Sequence, residues 1–211
     1  MRIARKSDIK RLVNEFFNNV ADDYGFRKYP CGFFHTIIDV GANSGMFSLL
    51  ARFMHPTANV SAYEPDLQAF DCLQANALYL RIECHNKAVG LGEPLFCIPS
   101  VATIGLRYEA ASDLTSDVSC DSMRLVDMIP ATKGKTFVKM DCEGGENIIF
   151  DDPESMAALL TCSHVSIETH GTHGMGLAEA TDRWVAALEP THDAVVMSTS
   201  RKGRIVEAVK R

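Results

Sequence analysis

The strongest constraint on the fold of this chain is one junction, Ile37-Ile38-Asp39-Val40-Gly41-Ala42-Asn43-Ser44-Gly45. β-Branched residues make a strand, the glycines punctuate a turn, and a helical pattern opens beyond Gly45. A buried strand that enters a glycine turn and then a helix begins a βαβ unit, because parallel neighbours need a crossover. The next strand, Asn59–Tyr63, ends on Glu64, nineteen positions after Gly45. A glycine turn after one strand and an acid after its neighbour suit a bound nucleoside. The glycines admit the ligand close to the backbone, and Glu64 can accept both ribose hydroxyls.

The spacing narrows the choice of ligand. Dinucleotide sites carry G-x-G-x-x-G, whereas this turn reads Asp39-x-Gly41-x-x-x-Gly45. A carboxylate at Asp39 would repel a pyrophosphate but suits a cofactor bearing positive charge. S-adenosylmethionine carries an ammonium and a sulfonium, so methyl transfer is expected ahead of nicotinamide chemistry.

Strands and helices then alternate, which predicts an α/β domain with a parallel sheet and right-handed crossovers. Strands are expected at Thr36–Val40, Asn59–Tyr63, Arg81–Asn86, Thr136–Met140 and His164–Glu168. Helices are expected over Gly45–Met54, Asp66–Leu80, Met123–Ile129 and Leu177–Leu188. Ala194–Ser198 and Arg204–Val209 read as a closing hairpin around Lys202-Gly203, which makes the last strand antiparallel. Ser7 can cap a first helix that closes near Gly25, giving a helical extension over 1–35 ahead of a catalytic domain over 36–211. The rhythm breaks between Gly90 and Cys120, where Leu95–Ile98, Thr103–Tyr108 and Asp117–Cys120 look extended. That insertion is either a substrate cover or an extra hairpin extending the sheet.

The 211 residues suit one domain with a sizeable core. A net charge of -6 argues against a partner held mainly through phosphates, so no nucleic acid is expected. Seven dispersed cysteines without C-x-x-C read as reduced thiols in a cytoplasmic protein. The basic amino terminus lacks a continuous apolar stretch, and no run reaches membrane-spanning length, so neither a secretory signal nor a membrane is expected.

Four motifs occur in order: Asp39-Val40-Gly41-Ala42-Asn43-Ser44-Gly45 with Phe47-Ser48, then Glu64-Pro65, then Lys139-Met140-Asp141-Cys142-Glu143-Gly144-Gly145-Glu146, then Glu168-Thr169-His170. Together they resemble the FkbM-type S-adenosylmethionine-dependent methyltransferases, from about Ile37 to Arg211. The resemblance implies a Rossmann-like class I methyltransferase: a seven-stranded, mostly parallel sheet with an antiparallel last strand. It also implies O-methylation of a hydroxyl on a small metabolite, of sugar or natural-product type. Carried over by position, Asp39, Gly41, Asn43, Gly45, Glu64 and Pro65 form the cofactor pocket. Asn86, where the adenine should lie, joins them, and Asp141 faces the reacting methyl group.

An aliphatic hydroxyl is too weak an acid to ionise at pH 7, so it needs a general base or a metal ion. The fourth and fifth strands should be adjacent. Their carboxyl ends offer Asp141, Glu143 and Glu146 from one, and Glu168, His170 and His173 from the other. Asp141, Glu168 and His170 can hold a divalent cation, of which Mn²⁺, Fe²⁺ or Zn²⁺ suits the mixed donors better than Mg²⁺. Alternatively His170 acts alone as base while Asp141 and Glu168 position substrate or cofactor. Glu143 and Glu146 can equally answer a helix dipole. Lys139 shares a strand face with Asp141 and can neutralise a carboxylate, reach substrate or snorkel. The expected partner is a small hydroxylated substrate, and a homo-oligomer stays open. Other readings keep the fold but methylate a protein or nucleic acid, or make the chain a non-catalytic cofactor-binding subunit.

Overall fold

The computed structural model describes residues 24–98, 107–110, 119–131, 134–172, 174–199 and 203–211. The helix expected after Ser7, together with His173 and Lys202, lies outside the described residues. In chain order come β1 (Thr36–Val40), α1 (Met46–Met54), β2 (Asn59–Tyr63), α2 (Leu67–Ala77), β3 (Ile82–His85) and β4 (Ala88–Val89). There follow β5 (Leu95–Ile98), β6 (Arg107–Ala110), β7 (Ser119–Cys120), β8 (Ser122–Met123), α3 (Leu125–Met128) and β9 (Thr136–Met140). A 3-10 helix (Gly145–Asp151), α4 (Pro153–Leu159), β10 (His164–Thr169), α5 (Leu177–Leu188), β11 (His192–Thr199) and β12 (Arg204–Lys210) complete it.

Seven strands form one sheet in the order β11-β12-β10-β9-β1-β2-β3. From β10 to β3 neighbours are parallel, while β12 lies antiparallel between β10 and β11. The last two strands thus form the hairpin expected of them. Chain order runs outward from β1 through β2 to β3 on one side and from β9 to β10 on the other, so the sheet's switch point lies between β1 and β9, where such sheets bind ligands.

Both faces of the central strands are buried, as parallel strands require. Ile38, Val138 and Val165 stand in one row, with Val40, Met140 and Ile167 in the next. These rows pack on Leu159 of α4 and on Trp184 and Leu188 of α5. On the opposite face Ile37 and Phe137 join Phe26, Phe34 and Phe47. That same face carries a polar row, Asp39, Lys139, Ser166 and Glu207, crossing four strands.

The segment 24–35 runs over this row as a series of turns. Phe26 is wholly buried among Phe34, Phe47 and Phe137. Lys28 reaches the buried Glu207 at 2.6 Å, and the Tyr29 hydroxyl lies 3.1 Å from both ring nitrogens of His164.

The insertion departs from one of its two expectations, the hairpin extending the sheet: its described strands do not join the main sheet. β5 pairs with β6 and β7 in a separate antiparallel sheet, and β4 pairs with β8. The helix expected over Met123–Ile129 is a single turn, α3, because Ser122 and Met123 are used as strand β8. β4 and β6 both lie against the 3-10 helix after β9.

Candidate active site

The carboxyl ends of β1, β2, β9 and β10 meet at one edge of the sheet. The turn after β1 is pressed against the end of β9. Asp141 N–H donates to Val40 O at 3.0 Å, and a β-carbon on Gly41 would overlap the Asp141 carbonyl. Gly41 has φ +75°, Asn43 +51° and Gly45 +87°, so three residues of five take the left-handed region. Gly45 caps α1 against the side chain of Leu73. The glycines are expected to admit a ligand, but the nearest neighbour of Gly41 is the protein's own backbone.

Glu64 is almost wholly buried at the end of β2. Its Oε2 accepts the Asn43 N–H at 2.7 Å and its Oε1 the Asp66 N–H at 2.8 Å. Burial pushes its carboxyl up to about 7, against the downward pull of those two amides. Asn86 donates to the carbonyls of Glu64 (2.9 Å) and Pro65 (3.1 Å), so it ties the end of β3 to the acidic loop. A carboxylate has about four lone-pair sites, and two remain on Glu64 for hydroxyl donors. These two free acceptor sites fit the two hydroxyls of a ribose.

Asp39 is placed differently from its expected contact with a cationic ligand. It is 0% exposed, with Lys139 Nζ 3.1 Å from Oδ1 and the Ser48 hydroxyl donating to Oδ2 at 2.6 Å. Lys139 also donates to Gly41 O at 2.8 Å. Burial lowers its pKa, but Asp39 and then Asp141 outweigh that and raise it, so it stays charged. The charge of Asp39 is answered from within the protein, because a buried carboxylate needs a nearby partner. Of the three roles considered for Lys139, neutralising a carboxylate is the one seen.

At the ends of β9 and β10 the structure brings Asp141, Glu168 and His170 together. One ligand atom from each lies within 4.8 Å of the others. The ring of His170 is buried and its two nitrogens face different partners. Nδ1 is 3.3 Å from Oε1 of Glu146, while Nε2 stands 3.9 Å from Asp141 Oδ1, 3.7 Å from Glu143 Oε2 and 3.8 Å from Glu168 Oε1. Burial lowers the pKa of this imidazole, but Glu146, Asp141 and Glu143 outweigh it and raise it to about 9.

Glu146, a possible dipole partner by its place in the sequence, does more. It is 0% exposed, accepts the His170 backbone N–H at 2.8 Å and accepts the Gly144 N–H at 2.9 Å. Glu143 takes φ +53°, a costly conformation of the kind that clusters at functional sites. Two members of the constellation escape sequence reasoning. Ser48 stands in a motif without an evident role, and Tyr24 carries no local signal at all. The Tyr24 hydroxyl lies 3.2 Å from Asp141 Oδ2 and 3.4 Å from Glu168 Oε2.

The strand order, the antiparallel β12 and the position of this site define the class I methyltransferase fold. Within that class the chain resembles FkbM-type methyltransferases. It is 48% identical over 46 residues to 31-O-demethyl-FK506 methyltransferase FkbM of Streptomyces tacrolimicus, a match covering 22% of this chain and 18% of that protein. Its backbone is similar to a solved methyltransferase FkbM from Methylobacillus flagellatus KT, with TM-score 0.55 and 16% identity over 82% of this chain and 43% of that one. An rRNA methylase from Streptococcus thermophilus is similar to the same degree, TM-score 0.54 at 10% identity over 90% of this chain and 96% of that one. No family model matches the chain. The chain therefore spans less than half of the solved FkbM protein, and the solved relatives share its fold alone.

Proposed function

We propose that this chain is an S-adenosylmethionine-dependent methyltransferase acting on a hydroxyl of a small metabolite, of sugar or natural-product type, with a divalent cation held by Asp141, Glu168 and His170. The observation that carries the reading is the meeting of those three side chains beside the turn of β1. When bound, the cofactor supplies an electrophilic methyl group, and the cation lowers the pKa of an oxygen bound to it.

Glu64 would hold the ribose, the Gly41–Gly45 turn would line the cofactor, and Asn86 and Pro65 would flank the adenine. On the acceptor side, Nε2 of His170 faces three carboxylate oxygens at 3.7–3.9 Å, too long for hydrogen bonds. Donors that each lie about 2.1 Å from one ion stand roughly 3–4 Å apart, so this spacing fits a shared cation. The geometry favours that reading over His170 as a lone base. The net charge of -6 favours a small acceptor over RNA.

The first test is the ligand retained through purification, read by mass spectrometry, with calorimetry against S-adenosylhomocysteine. Retention or binding of the S-adenosyl compounds is expected. A retained nicotinamide, or no binding of S-adenosylhomocysteine, overturns the proposal.

A further inference from the structure

We infer that Tyr24 is a positioning residue for the acceptor side of this site, turning one oxygen of Asp141 and one of Glu168 toward His170; the inference rests on the cation reading above. The two carboxylates divide their oxygens in the same way. Asp141 presents Oδ2 and Glu168 presents Oε2 to the Tyr24 hydroxyl, at 3.2 and 3.4 Å. Asp141 Oδ1 and Glu168 Oε1 are the atoms that face His170 Nε2. Terminal carboxylate torsions are broad and two-fold, so a carboxylate needs an external partner to fix which oxygen points where. The phenol's single proton, bifurcated between the two acceptors, favours this orientation in both.

His170 is oriented by the same principle from the other side. Glu146 faces Nδ1 and leaves Nε2 toward the carboxylates. Each of the three candidate ligands thus has an orienting partner behind it, and such partners commonly control metal affinity by about 10–100-fold.

Tyr24 is held in place rather than poised to leave. Its ring meets Phe47 edge-on at 5.7 Å, with Lys139 Nζ 5.6 Å from the ring centre. The next residue, Gly25, has φ +66°, and the Glu207 carboxylate occupies the space where its β-carbon would stand. Phe26 and the Lys28–Glu207 ion pair pin the chain beyond Gly25. The segment before β1 is therefore part of the site, not only a roof over the sheet.

The test is calorimetric titration of the whole chain with Mn²⁺ and, separately, with S-adenosylhomocysteine. Tyr24→Phe keeps the ring and its packing and deletes only the hydroxyl. It should weaken Mn²⁺ binding by about 10–100-fold while leaving S-adenosylhomocysteine affinity unchanged. Lys28→Ala loosens the same segment without touching the hydroxyl, so it should lower the melting temperature and keep wild-type Mn²⁺ affinity. Wild-type Mn²⁺ affinity in Tyr24→Phe overturns the inference while the cation reading stands. An equal Mn²⁺ loss in Lys28→Ala also overturns it, since segment stability would then be the cause. Failure of the wild type itself to bind Mn²⁺ overturns both, and is told apart because it precedes any variant.

Discussion

Asp39 and Lys139 show what a sequence holds at the scale of single residues and what it withholds. The acid was legible as a member of the turn, but its counter-ion was not. Their pairing exists because β1 and β9 are adjacent in a register that sets Asp39 opposite Lys139, and nothing local encodes a register across 100 positions. Removing one partner of a buried pair strands the other charge, at a cost of about 3–5 kcal/mol. Lys139→Met should therefore destabilise the chain by that order in chemical denaturation, and Asp39→Asn added to it should recover most of the loss. Simple additivity of the two variants would show that the pair is not coupled. Glu64 gives the matching prediction for ligand binding. Its carboxyl is raised from 4.5 to about 7, so its contribution to stability is whole below 4.5 and is lost as pH rises through about 7. Hydroxyl donors favour the anion, which gives ligand affinity the opposite slope. S-adenosylhomocysteine should bind more weakly as pH falls from 8 to 6, and Glu64→Gln should flatten that profile. A wild-type affinity indifferent to pH across this range removes Glu64 from the ribose site.

Whole elements were read most sharply where burial leaves one continuous signature. Thr36–Val40, Asn59–Tyr63, Thr136–Met140 and Leu177–Leu188 appear at their expected bounds, each a compact apolar or helix-periodic run with turn residues beside it. The shortest elements were lost, since β4 and β8, two residues each, have no period to detect. The helix start expected at Glu143 and Glu146 is met by the 3-10 helix Gly145–Asp151, whereas α4, capped by Asp152 and opened by Pro153, is not anticipated. The turn after β1 is the element on which both halves of the site depend. Gly41 at φ +75° lies against the Asp141 carbonyl, so Gly41→Ala adds left-handed strain of about 1–2 kcal/mol and a backbone overlap. At roughly 2–4 °C per kcal/mol for a domain of this size, a melting temperature at least about 4 °C lower is expected. Gly45→Ala should cost less, because its neighbour is the flexible end of Leu73. An unchanged melting temperature for Gly41→Ala would show that the turn is not pressed on β9.

For the whole molecule, alternation of strands and helices with a terminal hairpin was enough to anticipate a sheet whose ends converge at a switch point. It was not enough to anticipate the segment 24–35, which crosses four strands through an aromatic cluster and brings Tyr24 to Asp141. Convergence at one edge means that the two halves of the site can be separated by one global measurement. A ligand at about 100 times its dissociation constant stabilises the fold by about 2.7 kcal/mol, which is roughly 5–10 °C for a domain of this size. Saturating S-adenosylhomocysteine should raise the wild-type melting temperature by that amount. Glu64→Ala leaves ribose hydroxyls without an acceptor, a loss on the order of 1–3 kcal/mol, and should forfeit roughly a third to nine-tenths of the shift at the same concentration. Asp141→Asn keeps shape and removes the charge that would hold a cation, so its shift should match wild type while turnover falls by roughly two orders of magnitude. Mn²⁺ should add a further shift to wild type and none to Asp141→Asn. If Asp141→Asn instead loses the S-adenosylhomocysteine shift, the end of β9 belongs to the cofactor pocket, and the division between its two sides of the site is wrong.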